Sequence, residues 1–217
     1  IWVEDHGWYT LDDDGNILNR VKYGIVGGVD FPGINSDGLS YNTNGPAQLI
    51  NYVSAHDNNT LYDKIRLSTS SSQREYRAEM QKQANAIVLL SQGIPFIHAG
   101  AEFMRSKPLS GGGFDENSYQ SPDSVNQLRW DQLVEEDNYA VFEYYKAIIA
   151  FRLGHPAFRM TDNQDIIDNI DFVDVGNETV IAYTLSNYAN EDSFDTILVI
   201  HNTGLFAKFD LPEGTWK

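Results

Sequence analysis

Cysteine is absent from the 217 residues, which excludes a disulfide framework, a Cys-type zinc site and a cysteine nucleophile. Positive charge is scarce: 15 Lys and Arg stand against 31 Asp and Glu, a net charge of −16. So acidic a surface repels phosphate backbones and anionic lipid, and neither nucleic acid nor a membrane is expected as a partner. No apolar run exceeds five residues, Ala86–Leu90 being one, whereas a bilayer crossing takes roughly 20. The five histidines, 6, 56, 98, 155 and 201, show no His-x-x-x-His spacing, so no zinc site is expected. The chain opens Ile1-Trp2-Val3-Glu4, without Met and without a signal peptide. It reads as a piece of something longer, and the compartment (bacterial secreted, cell-surface or cytoplasmic) stays undecided.

What is present is enough for a packed core: 41% hydrophobic and 12% aromatic residues. Ile1–Val3 and Trp8–Leu11 read as short strands and 12–16 as a turn, followed by a long loop from Gly24 to Pro46. Leu49–Ser54 is a β-prone run stopped by the polar stretch 55–60. Residues 73–91 carry helix formers, with Met80, Ala84, Ile87, Val88 and Leu90 at helical spacing. Ile94–Ala99 is a short buried-type strand ending at Gly100. Strand, helix, strand within about 50 residues is a βαβ unit with two parallel strands. A polar loop runs from Phe103 to Asp137. A second helix covers about 138–153, with Val141, Phe142, Tyr145, Ile148 and Ile149 on one face, ended by Gly154 and Pro156.

After Pro156 the texture changes. Ile166–Asp174, Val180–Ser186, Thr196–His201 and Phe206–Leu211 are β-type runs between turn signals, the pattern of an antiparallel sandwich. The expected boundary lies near residue 155, giving units 1–154 and 155–217. Residues 155–217 hold 11 acids and 3 bases, the earlier 154 hold 20 and 12. The tail is thus the more acidic per residue, which reads as a solvated face.

The best candidate for chemistry is Tyr52-Val53-Ser54-Ala55-His56-Asp57-Asn58. Its apolar part forms the strand, and the polar triplet falls just past the C-terminal end, where parallel α/β barrels place their active sites. His56 and Asp57 side by side could grip sugar hydroxyls, and the carboxylate could stabilise an oxocarbenium-like charge. Spacing alone favours a plain turn over a functional pair.

The stretch Tyr52–Lys64 resembles the seventh-strand signature of type I pullulanases, α-glucan debranching enzymes of the α-amylase superfamily of glycoside hydrolases. Gln92-Gly93-Ile94-Pro95-Phe96-Ile97-His98-Ala99-Gly100-Ala101-Glu102-Phe103 resembles the eighth strand. Met104-Arg105-Ser106-Lys107 and Glu116–Leu128 follow in matching order and spacing. The resemblance implies the C-terminal portion of a (β/α)8 barrel, followed by an antiparallel β-sandwich. It implies retaining hydrolysis of α-1,6 branch linkages in pullulan, starch or glycogen, with an α-glucan as partner. By position, Asp57 matches the third catalytic carboxylate, and His56, Asn58, Asp123 and Asn126 match glucan contacts. The position of Gln127 is arginine in some members, so an ionic contact is lost there. Tyr62 stands where many have Trp. The nucleophilic Asp and acid/base Glu would lie on barrel strands upstream of Ile1. The partner is then also the missing N-terminal part of the same enzyme, and the chain alone is expected to be inactive.

His98 reads as a core histidine or a cleft residue. Glu102 reads as a structural, cleft-shaping carboxylate rather than the acid. Arg105 and Lys107 are either loop-anchoring charges or glucan contacts. Asp12, Asp14 and Asn16 imitate a calcium loop, but Ile17 and Tyr23 stand where it needs Gly and Glu. No cofactor is expected, and any calcium has no assigned ligands. The other readings are a non-catalytic glucan-binding or scaffold protein that kept the barrel end and the β domain, and a His-Asp phosphohydrolase. The latter lacks sufficient histidine ligands.

Overall fold

A computed structural model describes residues 16–35, 44–204 and 206–216. The short strands expected at 1–3 and 8–11, and most of the 12–16 turn, lie outside the described residues.

Helix α1, Asn16–Ile25, stands where the sequence suggested a turn running into a loop. Its Val21, Tyr23 and Ile25 are buried. The helix ends at Gly27 and Gly28, with φ of 72° and 73°, where the Gly28 N–H reaches back to the Tyr23 carbonyl at 2.9 Å. At Gly27 a Cβ would lie 2.8 Å from Pro46 Cβ, so glycine serves both the turn and the close approach.

Strand β1 (Ile50–Asn51) and strand β2 (Ile94–Pro95) pair in parallel, Ile50 opposite Ile94. The expected βαβ unit is present, but each strand keeps only two regular residues of the six-residue run read from sequence. Two helices connect them: α2, Leu61–Ser68, and α3, Arg77–Leu90, preceded by a 3-10 turn at Ser71–Tyr76. Helix α2 falls on residues whose only sequence signal was the Thr60-x-x-Asp63 start. The 103–137 connection contains a one-turn helix α4, Asp123–Asn126. Helix α5, Glu136–Gly154, buries Val141, Tyr145, Ile148 and Arg152 on one stripe, with Ile148 packing against Ala86 and Leu89 of α3.

Beyond Pro156 come helix α6, Asn163–Asn169, and strands β3 (Ile170–Val173), β4 (Val180–Leu185) and β5 (Ile197–Asn202). The run read as β from Ile166 therefore starts as helix: Asp162 accepts N–H bonds from Gln164 and Asp165 and caps α6. Residues 206–211, also read as β, hold no regular strand. Strands β3, β4 and β5 form one antiparallel sheet with β4 in the centre. The largest apolar core joins this sheet to α1 and the loop after it: Ile25, Val26 and Phe31 meet Phe158, Ile181 and Tyr183. It runs across residue 155 without a break.

The C-terminus of α3 is where the two parts meet. A helix end leaves its last carbonyls without helical partners. Arg152 of α5, 5% exposed, donates to the carbonyls of Leu89 (2.7 Å), Ser91 (2.6 Å) and Gly93 (2.9 Å). The Tyr183 hydroxyl on β4 donates to the Leu90 carbonyl at 2.9 Å. Gln92 then donates to the Ala157 carbonyl and accepts from Met160 N–H, while Asn51 of β1 donates to the carbonyls of Gly24 and Gln92. These bonds fix where both parallel strands begin.

Candidate functional site

Past β1, the chain presents His56 and Asp57 to solvent, their side chains 86% and 77% exposed, with Nε2 and Oδ2 3.6 Å apart. Asn58 follows with φ of 60°, a left-handed conformation that asparagine tolerates better than most. Thr60 then caps α2, its hydroxyl accepting the Asp63 N–H at 3.1 Å. The triplet thus occupies a tight link between a strand end and a helix start.

Lys107 lies beneath this link, 1% exposed. Its ammonium donates to the carbonyl oxygens of His56 (3.3 Å) and Asn58 (2.6 Å) and to Ser118 Oγ (3.1 Å). Burial and the Arg105 charge push it below the usual ammonium value, opposed by Asp115, Asp63 and Asp57. Asp63, fully buried, accepts the Lys107 main-chain N–H at 2.7 Å through Oδ2 and the Ser106 hydroxyl through Oδ1. Sequence reasoning gave Asp63 and Ser118 no task; the capping spacing before α2 was the signal available for Asp63.

The second strand end is organised by Arg105. One guanidinium nitrogen lies 3.1 Å from His98 Nε2 and 3.2 Å from the Ala99 carbonyl; the other donates to the Asn126 carbonyl at 2.6 Å. The close fold-back requires Gly100, whose φ is 92° and whose absent Cβ would meet Arg105 Cβ and Cδ at 2.7 Å. Burial, then the charges of Arg105, Lys107 and His56, lower His98 from 6.5 to about 4. At neutral pH the ring is uncharged, so Nε2 accepts from the guanidinium. Glu102 accepts the Gly100 N–H at 2.8 Å, as a loop-shaping carboxylate does.

Asn126 does not offer its amide nitrogen to the open side. It donates to the carbonyls of Ser118 (2.7 Å) and Ser121 (3.1 Å), folding the 118–126 loop. Asp123 opens α4 and is exposed. Loop 118–126 touches the His56–Asn58 link through Lys107 and the β2 end through Arg105, so both strand ends and this loop form one polar assembly. Among the described residues, no group of three or more His, Asp or Glu is placed to hold a metal ion. No described helix is long and apolar enough to cross a membrane. Trp130 packs its ring 4.9 Å from Phe103, leaving 55% exposed.

An exposed carboxylate and imidazole thus stand side by side on a braced strand-end loop, and likeness to known proteins defines the class. Residues 166–217 match the family described as pullulanase, all-beta domain. The chain is 41% identical over 191 residues to the pullulanase of Bacillus subtilis strain 168, covering 87% of this chain and 24% of that protein. The pullulanase of Bacillus acidopullulyticus superposes with a TM-score of 0.82 at 37% identity, over 96% of this chain and 23% of the other. A Paenibacillus barengoltzii pullulanase, solved with maltohexaose and α-cyclodextrin, gives 0.80 at 39% identity, over 90% and 29%. The chain is thus related to the type I pullulanases and corresponds to a C-terminal portion of them. It spans about a quarter of the length of the relatives it matches.

Proposed function

We propose that the chain supplies the closing part of the active site of a retaining glycoside hydrolase that cleaves α-1,6 branch linkages in pullulan, starch or glycogen. The observation that carries this is the His56–Asp57 pair, exposed at the C-terminal edge of two parallel strands on a loop braced from below. In that reading residues 1–154 close a (β/α)8 barrel and 155–217 begin the β-rich domain. Two parallel strands of two residues each, with Ile50, Tyr52, Ile94 and Phe96 still 41–55% exposed, need further strands beside them. The partner is therefore the rest of the barrel.

Asp57 serves as the carboxylate that stabilises positive charge at the anomeric carbon as the glycosidic bond breaks. His56 donates to a hydroxyl of the same sugar. Asn58 and Asp123, both exposed, hold neighbouring hydroxyls. Asn126 shapes the loop that presents Asp123. His98, Glu102 and Arg105 form the wall of the cleft, with the neutral imidazole adding no charge near the developing cation. Retaining hydrolysis needs a nucleophile and an acid/base about 5 Å apart across the scissile bond. Those two groups are assigned to the preceding barrel strands. That the relatives are pullulanases favours hydrolysis over a purely glucan-binding scaffold.

The test is Asp57→Asn in the full-length protein assayed on pullulan. Turnover should drop by about 10³-fold, the scale of losing one well-placed electrostatic group. Turnover like the parent's would overturn the assignment. The 217-residue chain alone should release no maltotriose from pullulan at any pH. A rate above background in contaminant-free protein would mean that the essential carboxyl pair lies within it.

A further inference from the structure

We propose that Lys107 is a positioning residue: its buried ammonium sets the backbone on both sides of Asp57 and so holds the carboxylate of the proposed site in register. The inference rests on the function proposed above but concerns a residue to which that reading assigns no role.

An ammonium has three protons, and here each has an acceptor: the carbonyls of His56 and Asn58 and the Ser118 hydroxyl. Two of the three flank Asp57 directly. The stronger contact, 2.6 Å, goes to Asn58, the residue in the left-handed conformation. A sparsely populated backbone state persists where surrounding contacts over-determine it, and this bond together with the Thr60 cap does so from both sides. The lysine is itself anchored through its main chain. Asp63 takes its N–H, and its carbonyl accepts the Asp115 N–H at 2.8 Å beside the Pro108–Phe114 bridge. Asp63 sits in the first turn of α2, so the helix after the link and the lysine below it move as one body. Burying an ammonium is costly, and a methionine of similar length would fill the space at less cost. What methionine lacks is the fork onto the two carbonyls.

The experiment uses the full-length protein with Lys107→Met and Lys107→Ala. On pullulan, kcat should fall about 30- to 100-fold, the effect expected of a small misplacement of a reacting group, with KM changed less than about threefold. Methylammonium or ethylammonium should restore part of kcat to Lys107→Ala, and none to Lys107→Met or Asp57→Asn. A folded Lys107→Met with kcat within threefold of the parent overturns the proposal, as does absence of amine rescue. If Lys107→Met fails to fold, Ser118→Ala decides. It frees one ammonium proton and should lower kcat severalfold, whereas unchanged kcat counts against the proposal. Amide hydrogen exchange separates this inference from the functional one. Exchange at Asp57–Asn59 should quicken at least tenfold in Lys107→Met while β4 and β5 stay unchanged, whether or not pullulan is the substrate. Unaltered exchange there sinks the positioning role alone. A parent protein inactive on pullulan sinks the hydrolase reading alone.

Discussion

Ile50 on β1 and Ile94 on β2 leave 55% and 47% of their surface in water, whereas all six residues of β4 are buried. The two sheets of one chain are held by different forces. Strands β3–β5 close over a continuous apolar core with α1 and the loop after it, and burial of Ile170, Ile181, Tyr183 and Leu185 supplies the driving force. The β1–β2 pair has little of this. Its ends are fixed by polar latches: Asn51 onto Gly24 and Gln92, Arg152 onto three carbonyls, Arg105 onto Asn126, and Lys107 onto His56 and Asn58. Hydrogen-bonded charge positions atoms closely and contributes little net stability. Apolar burial does the reverse. The region that presents Asp57 is built the first way, and the region with the largest apolar core is built the second.

The sharpest way to break this contrast is Arg152→Ala. It leaves the carbonyls of Leu89, Ser91 and Gly93 without their donor in a buried setting. Loss of one partner from such an arrangement costs about 3–5 kcal/mol. Urea unfolding of the chain should register that loss. The amides of Ile94 and Phe96, whose acceptors are Leu49 O and Asn51 O, should then exchange faster than those of β4–β5. A cost below about 1 kcal/mol, or equal acceleration in both sheets, would show that the latch is incidental. Arg152→Lys keeps the charge but not the planar fork and should recover only part of the loss.

Much of this division was legible in the residues. The βαβ unit, the helical stripe Val141–Tyr145–Ile148 and the antiparallel pair Val180–Ser186 and Thr196–His201 follow from period and turn chemistry, and the structure has them. The resemblance of the stretches around His56 and Gln92 was equally readable, and both lie at adjacent strand ends. Other parts were hidden for physical reasons. Helix α1 sits among Gly, Asp and Asn that signal turns, and what keeps it helical is tertiary burial of Val21 and Ile25. Helix α2 is short, and its capping Thr60 falls inside the motif that drew attention to Asp57. Ile166–Asn169 has β-branched composition, yet the Asp162 cap turns it into helix. Lys107 and Arg105 were open between anchor and ligand contact. Only three-dimensional placement shows that each holds main-chain carbonyls, because those acceptors carry no sequence signal.

A smaller effect sharpens the comparison from the other side. His201 on β5 is 2% exposed, and its Nε2 has no hydrogen-bond partner. Its nearest ring neighbour is Tyr183, with centroids 6.0 Å apart. Burial alone lowers its pKa from 6.5 to about 4. The folded protein therefore keeps this ring neutral while the unfolded chain takes up a proton below pH 6.5. Its contribution is whole above pH 6.5 and is lost as pH falls toward 4. Over that window the linkage amounts to about 3 kcal/mol. His98 is lowered to about the same value, but it is only partly buried and solvent screens its surroundings, so it adds less. His201→Leu should remove most of the acid-linked slope of stability between pH 6.5 and 4, read from urea midpoints across pH. It should leave exchange at Asp57–Asn59 unchanged. If the slope survives intact, the pH sensitivity belongs to the polar latches around β1 and β2, and the division between a charged, positioning half and an apolar, stabilising half would have to be redrawn.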